Sequence, residues 1–581
     1  MTNRHSRQRS HPRHAAPPAS APDDTSPGLE RVPRWLSLAL LAALLVCVAL
    51  VRLRLAGAPL ERDEGEYGYA GQLLLQGVTP YQLVYNMKFP GTYYAYSLML
   101  AMFGQTAWGI RVGLMLANAA TTLGVFLLAR RLAGERAALI AAVAFAVLSL
   151  DRWIMGVFAH ATHFVILPAT AGLLLLDRGL GSRRLVPLLG AGILLGTSVL
   201  MKQHAVVFVA LGLVLVLWRD VVTDRAPLGT VLRRAGALAL GAFAPFAILC
   251  ATLAARGVFG RFWFWTIQYA REYVTEVPWS SAMSSLASGL RTVTAATWPL
   301  WALAALGLAG LWLVPWRRET RAFACAFLVA SFLATCPGFY FRAHYFIVML
   351  PALALLVGVG VVSLQRLCAP RLTAVGSIVV ATAVFLAALL ACVVPERGYL
   401  FSMSGEDLSR TRYGRNPFVE APAIARYVEQ RTSAAARIAV IGSEPEIYFD
   451  ARRRSATGYI YMYPLMEPQA LAPRMQDEMI REIEAAHPEY VVFVRTRTSW
   501  LPRPDSDRRI LTWAERYLRQ CYDVVGISER LPDGGSVLRW DAEVVGYQPR
   551  GEDLVYTFRR RSDAPCAAGA PVGAGSAGSP R

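Results

Sequence analysis

Residues 35–51 read WLSLALLAALLVCVALV, an unbroken apolar stretch in which Ser37 is the one hydroxyl side chain. A helix that crosses a bilayer needs about 20 mostly apolar residues, and this stretch, with its neighbours, reads as a first span. It follows a basic tail rich in Pro and Ser. Ala56-Gly57-Ala58 loosely fits a signal-peptidase site, but the polar region before the apolar run is too long for a signal peptide and the run itself is long enough to span. The sequence therefore predicts an uncleaved first helix.

Working outward, the same signal recurs at 110–130, 137–150, 164–176, 186–200, 205–218, 235–255, 297–315, 322–336, 345–364 and 373–394. A shorter run at 94–104 reads as interfacial or half-buried. The expected count is roughly eleven spans. Composition agrees: 55% of the 581 residues are apolar and 17% charged, against roughly a quarter charged in soluble chains. The fold class is thus an α-helical polytopic membrane protein.

The formal net charge of +19 does not mark a nucleic-acid partner, because its arginines are periodic. They gather at Arg4 to Arg34, Arg130/Arg131/Arg136, Arg178/Arg183/Arg184, Arg219 to Arg234, Arg317/Arg318/Arg321 and Arg366/Arg371, in every second loop. Basic loops stay in the cytoplasm. That places the N-terminus inside and the loops 53–109, 151–163, 200–204, 256–296 and 337–344 outside, with the C-terminal part. Six cysteines lie in or beside apolar runs without metal-ligand spacing and read as small packing residues. Cys521 and Cys566, on the outer side, are free to pair.

The character changes near Pro395. Ala421 to Gln430 and Met475 to Ala486 read as helices, Arg437 to Gly442 and Tyr490 to Val494 as buried strands, which predicts a small α/β soluble domain with a largely parallel sheet. Ile441-Gly-Ser-Glu444 lacks the spacing of a nucleotide loop, so a lid or acceptor-docking role is expected. The division is a basic tail over 1–33, a transmembrane domain over 34–394, an extracytoplasmic α/β domain over 395–562, and a disordered tail over 563–581 rich in Ala, Gly, Ser and Pro.

Chemistry concentrates in the outer loops. Glu61-Arg-Asp63-Glu64-Gly-Glu66-Tyr67 sets four acids directly after the first span. A solvated acidic loop would have the same composition. The functional alternative is that one carboxylate, partly desolvated and raised in pKa, serves as general base for a hydroxyl acceptor. Lys88, in Met87-Lys-Phe-Pro-Gly91, and Lys202, between two apolar runs with barely a loop, suit an anion; a charge at such depth is costly and usually functional. Phe262-Trp-Phe-Trp265 suggests an interfacial helix facing lipid, with Arg271 able to reach an anion. Arg342, His344 and Tyr345 open the next-to-last span. Acids and cations on one face suit a reaction with a phosphate leaving group.

Asp63-Glu64 after the first span, Lys88, Lys202, and Arg342 to Tyr345 before Pro351 together resemble the GT-C glycosyltransferases of family 39, which include protein O-mannosyltransferases and the lipid A aminoarabinose transferase. The similarity covers residues 35–394. It implies the GT-C fold, catalytic Asp63 with Glu64 its companion, and Lys88, Lys202, Arg271 and Tyr345 around a lipid phosphate. Glu66, Tyr67, His163, Arg342 and His344 are further contacts to donor or acceptor. Two departures stand out. Met87 replaces a glutamate of the aminoarabinose transferase, and His160, Thr162 and His163 stand where relatives often carry an acid; no metal site is assigned, and a divalent metal is left open.

The expected activity is inverting transfer of a hexosyl or pentosyl group from a polyprenyl-phosphate sugar to a lipid, glycan or protein hydroxyl, at the outer face of a bacterial inner membrane. The partners are then the lipid-linked donor, the acceptor and the bilayer, with no nucleic acid and no nucleotide or redox cofactor. A transporter or flippase of lipid-linked saccharides would use the same cations without chemistry. Such carriers usually show paired halves with interrupted helices, and no such repeat is visible.

Overall fold

A computed structural model describes residues 33–562 except Arg183 and Pro532. The tail over 563–581, all of the N-terminal tail but its last residue, and Cys566 lie outside the described residues. The helices up to residue 394 are α1 Arg34–Arg54, α2 Arg62–Leu75, α3 Gly91–Phe103, α4 Ala107–Ala133, α5 Glu135–Leu150, α6 Ala161–Leu180, α7 Val186–Met201, α8 Val206–Leu217, α9 Leu228–Ala255, α10 Phe259–Trp263, α11 Ala270–Thr275, α12 Trp279–Thr294, α13 Trp298–Leu313, α14 Arg318–Leu333, α15 Leu350–Cys368 and α16 Ala374–Val393.

Each of the eleven apolar runs is a helix. Among the described residues, seven spans are long and apolar enough to cross a membrane alone, and an eighth is reached if α12 and α13, bent by 110°, count as one. The remaining runs (α5, α7, α13, α14) are 16 residues each, short of the roughly 20 a perpendicular crossing takes. They pack beside longer neighbours, α7 against α9 and α13 against α15. The span Ala343–Cys368 is 89% buried and forms its centre. A Cβ at Gly307 of α13 would collide with the Leu356 carbonyl of α15, the close backbone approach that small residues permit between membrane helices. The outermost helices α1 and α16 leave Leu38, Leu40, Val46, Leu50, Val379, Leu386 and Leu390 exposed, where the solvent is lipid. The chain is a membrane-embedded polytopic protein.

The C-terminal part carries one six-stranded sheet in the order β2-β1-β3-β6-β4-β5, with β1 Arg437–Ile441, β2 Arg454–Ser455, β3 Tyr490–Arg495, β4 Tyr522–Arg530, β5 Ser536–Trp540 and β6 Asp553–Arg560. The expectation of a largely parallel sheet needs correcting. β1 pairs in parallel with β2 and β3, but β3–β6, β6–β4 and β4–β5 are antiparallel. Strands joined by helical crossovers form the first half, and the last three strands complete the sheet as an antiparallel unit.

This sheet region stands directly on α2. A Cβ at Gly65 would overlap the backbone of Glu446, and one at Gly68, a turn later, would lie 3.0 Å from the Phe449 ring. The helix Glu446–Ala451 therefore lies flush along α2. Arg62 adds hydrogen bonds to the Ser443 carbonyl, Glu444 (3.1 Å) and Asn416 (3.0 Å). The aromatics of 262–273 also depart from expectation: Phe262, Trp265 and Tyr269 are buried against Tyr81, Tyr85, Phe89 and Tyr459. They face protein, and Trp263 is the member left exposed.

Candidate active site

The acidic stretch is the start of a helix, not a solvated loop, and each acid has a distinct post. Glu61 is the N-cap of α2: its carboxylate accepts from the Glu64 amide (2.9 Å) while Glu64 accepts from the Glu61 amide (3.3 Å). This reciprocal capping satisfies two amides that a helix start otherwise leaves unpaired. Glu64 is fully buried and its carboxylate also takes Arg111 of α4 (2.7 Å) and the Ala159 amide. Arg111 in turn donates to the Val157 carbonyl (2.8 Å). Glu64 thus fixes α2, α4 and the segment 151–160 to one another; it holds the site and does not face it.

Asp63 and Glu66 are three residues apart and share a helix face. Lys88 lies across that face, its Nζ 2.8 Å from Asp63 Oδ1 and 2.6 Å from Glu66 Oε2, over the Tyr67 ring at 4.5 Å. The segment that delivers it is clamped. Tyr81, at a left-handed φ of 68°, donates its hydroxyl to the Lys88 carbonyl (2.7 Å), and the Tyr85 amide donates to the Gly458 carbonyl (2.8 Å). Tyr93 donates to the second Glu66 oxygen. The Tyr461 hydroxyl, from the C-terminal part, donates to Asp63 Oδ1 (3.1 Å).

These neighbours set the charges. Burial resists ionisation of Asp63, but the Lys88 ammonium and the His160 imidazole outweigh it and hold the carboxyl well below the usual range. The expected rise is therefore absent at Asp63. It occurs next door: burial pushes Glu61 up to about 7 and raises Glu66 despite Lys88. Lys88 also pays for its burial, yet Asp63 and Glu66 keep its proton affinity well above normal.

Across the cleft the situation reverses. Lys202, in the break between α7 and the next span, lies over the Tyr345 ring at 3.9 Å and has no ion pair among the described residues. Burial pulls its pKa down to about 7, against a partial pull upward from Asp63. Arg342 stands over Tyr340 at 5.2 Å, and Tyr340 stacks on Tyr273 at 4.8 Å. His344 lies parallel to His160, ring centres 4.2 Å apart and 13° from coplanar.

The structure gathers Asp63, Glu66, Tyr67, Lys88, Lys202, Arg342, His344 and Tyr345. It does not gather all the residues named from sequence. Arg271 is exposed on α11 with no ion pair among the described residues. His163, buried one turn into α6 beside Arg52, lies beneath the 151–160 segment. Lys88 contacts carboxylates and not an open anion site. Tyr461, Tyr463, Arg111 and Tyr93 went unread. The alternating Tyr459-Ile-Tyr461-Met-Tyr463 was the one available signal for the first two.

Crystal structures of ArnT from Cupriavidus metallidurans superpose over most of the chain. The form bound to undecaprenyl phosphate gives a TM-score of 0.58 at 17% identity, covering 90% of this chain and 98% of that one. The fold is that of the GT-C glycosyltransferases. The apo form of the same protein gives 0.53 at 17% identity, covering 78% and 92%. The archaeal oligosaccharyltransferase AglB from Archaeoglobus fulgidus scores 0.49 at 14% identity over 88% of this chain and 74% of that one. A family described as dolichyl-phosphate-mannose-protein mannosyltransferase matches residues 88–249, which run from Lys88 through Lys202 into α9. No curated protein matches the chain. The resemblance drawn from Asp63, Lys88, Lys202 and Tyr345 to the GT-C enzymes is borne out in fold, and the sheet region stands within the superposed length.

Proposed function

We propose that this GT-C protein is a membrane glycosyltransferase that moves a hexosyl or pentosyl group from a polyprenyl-phosphate donor to a hydroxyl acceptor, with inversion. The observation that carries the reading is the gathering, in one site, of Asp63 paired with Lys88 and a half-buried Lys202 over Tyr345 that has no ion pair among the described residues.

The donor's sugar enters sideways from the outer leaflet and its phosphodiester lies against Lys202, Arg342 and Tyr345. The acceptor hydroxyl approaches Asp63, oriented by Lys88 and Tyr461. As the acceptor oxygen bonds to the anomeric carbon, the bond to the phosphate oxygen breaks and its electron pair leaves with polyprenyl phosphate. The acceptor proton passes to Asp63. A carboxylate of low proton affinity is a weak base, which suits a proton lost late, once bond formation has made the hydroxyl acidic. The cations stabilise charge as it gathers on the leaving phosphate, usually the largest catalytic term. Glu64 supports Asp63 through the helix cap and takes no proton.

The arginine-rich alternate loops support an N-terminus in the cytoplasm, with residues 395–562 on the outer face of a bacterial inner membrane. Tyr461 reaching Asp63 gives that domain a share in acceptor binding. The test is release of polyprenyl phosphate from a labelled polyprenyl-phosphate sugar by the purified protein with membrane acceptors. Release with transfer is expected. Movement of intact donor across the bilayer without release would make the protein a carrier.

A further inference from the structure

We propose that a groove in the C-terminal sheet region, between strands β3, β6 and β4 and the helix Arg509–Cys521, binds an acidic saccharide chain. Its cavity is about 690 Å³, within the roughly 300–1,000 Å³ of small-molecule sites. It shares no residue with the cleft of Asp63 and Lys202.

Strand register sets the floor. Phe493 of β3 stands opposite Tyr556 of β6, and Phe558, two residues on, stands opposite Val524 of β4. Residues two apart on a strand share a face, so one apolar row crosses three strands. The helix Arg509–Cys521 buries Ile510, Trp513, Ala514 and Tyr517 but leaves this row partly open. Val524 is exposed, and Phe493, Tyr556 and Phe558 are half-buried. Trp500 forms a wall. Its indole donates to the Val494 carbonyl (2.7 Å), which fixes its ring 6.1 Å from that of Phe493. Aromatic side chains held in place offer large, rigid faces, and the C–H faces of sugar rings stack on such surfaces with their hydroxyls turned to the rim.

The rim decides the charge of the ligand. Arg495 and Arg497 are exposed, and neither has an ion pair among the described residues. Arg519 joins them from the helix, one turn beyond Glu515 and 3.5 Å from its carboxylate. Residues 495–519 carry seven arginines against three acids. An arginine fork takes an oxyanion through two parallel hydrogen bonds, and a surface of one sign concentrates ligands of the other. A neutral sugar would leave this rim unused. An acidic peptide would use the rim but bring no C–H face to the floor. An acidic saccharide uses both.

The wall is also tied to the membrane cleft. Ser499 donates to Glu444 (2.7 Å), which pairs with Arg62 (3.1 Å), the neighbour of Asp63. Tyr463 donates to the Thr498 carbonyl (2.9 Å). A saccharide held against Trp500 is thus one segment from the cleft. That it is the acceptor rests on the proposed transferase reading; its binding does not.

The test measures fluorescence polarisation of labelled hexagalacturonate and sulfated maltohexaose with the full-length protein, and of plain maltohexaose and hexaglutamate as controls. At least one acidic saccharide should bind more tightly than both controls, and less tightly as salt rises. Replacing both exposed arginines, Arg495→Gln with Arg497→Gln, should weaken that binding about tenfold or more, since charge-assisted contacts are lost. Tyr556→Leu keeps the rim and should weaken it several-fold. Size-exclusion profiles identify variants that misfold, and the wild-type panel stands without them. Binding of neither acidic saccharide, equally tight binding of hexaglutamate, or unchanged affinity in the folded arginine variant would overturn the site. Release of polyprenyl phosphate is measured separately, so its failure counts against the transferase reading and not against this one.

Discussion

Lys88 and Lys202 face the same cleft with opposite electrostatics. Lys88 lies between two carboxylates, and their charge more than compensates its burial, so its proton is held well above the normal range. Lys202 is half-buried without a carboxylate partner among the described residues, and desolvation lowers its pKa to about 7. The first lysine completes a neutralised unit that keeps Asp63 ionised. The second is a cation waiting for an anion, and the difference assigns the phosphate to the Lys202 side. Sequence reasoning gave both lysines to the phosphate because each stands alone in its own segment.

Substitutions should separate the two. Lys88→Met strands Asp63 and buried Glu66 without their counter-ion. Removing one partner of a buried pair typically costs about 3–5 kcal/mol, so a large fall in thermal midpoint is expected, with loss of turnover. A midpoint equal to wild type would break the comparison. Lys202→Met leaves no carboxylate unpaired, so the fold should hold while donor affinity falls by about 1.5–3 kcal/mol, the range for a charge-assisted contact. Unchanged donor binding would remove Lys202 from the phosphate.

The pH dependence follows from the same lysine. Its pKa in the empty protein is about 7, below the ordinary 10.5, and a bound phosphodiester favours the protonated form. Above pH 7 binding must therefore take up a proton. Donor affinity should fall by up to about tenfold per pH unit above 7 and stay flat below it. In Lys202→Met the slope should vanish. The smallest effect is expected at Tyr461→Phe, which removes one hydrogen bond to Asp63, about 0.5–1.5 kcal/mol, read as a modest loss of turnover with donor affinity intact.

How much of this was legible varies with the kind of signal. The apolar runs specify helices by length and composition alone, and all eleven are present. α2 was read as a loop because Gly65, Gly68 and Gly71 and four acids hide its helical character; the glycines are there for contact with Glu446, Phe449 and α3, partners that no local pattern names. The antiparallel half of the sheet escaped because β4, β5 and β6 alternate poorly in hydrophobicity and lie far along the chain. Asp63 could be singled out by its place after a span. Its low proton affinity could not, since it depends on Lys88, 25 residues away, and on His160 and His344 much further along the chain. Arg271 and Arg342 offer equal charge in neighbouring loops, yet Arg271 is exposed and Arg342 stands over Tyr340.

In the proposed mechanism Asp63 receives the acceptor proton while the cations opposite hold the donor. The most direct test measures donor affinity and single-turnover release of polyprenyl phosphate on the same preparation of Asp63→Asn. The amide keeps the size and hydrogen-bonding shape but takes no proton. Release should slow by about 10²–10⁴-fold, the usual loss for a general base, while the donor binds nearly as in wild type. Release at the wild-type rate would contradict the account.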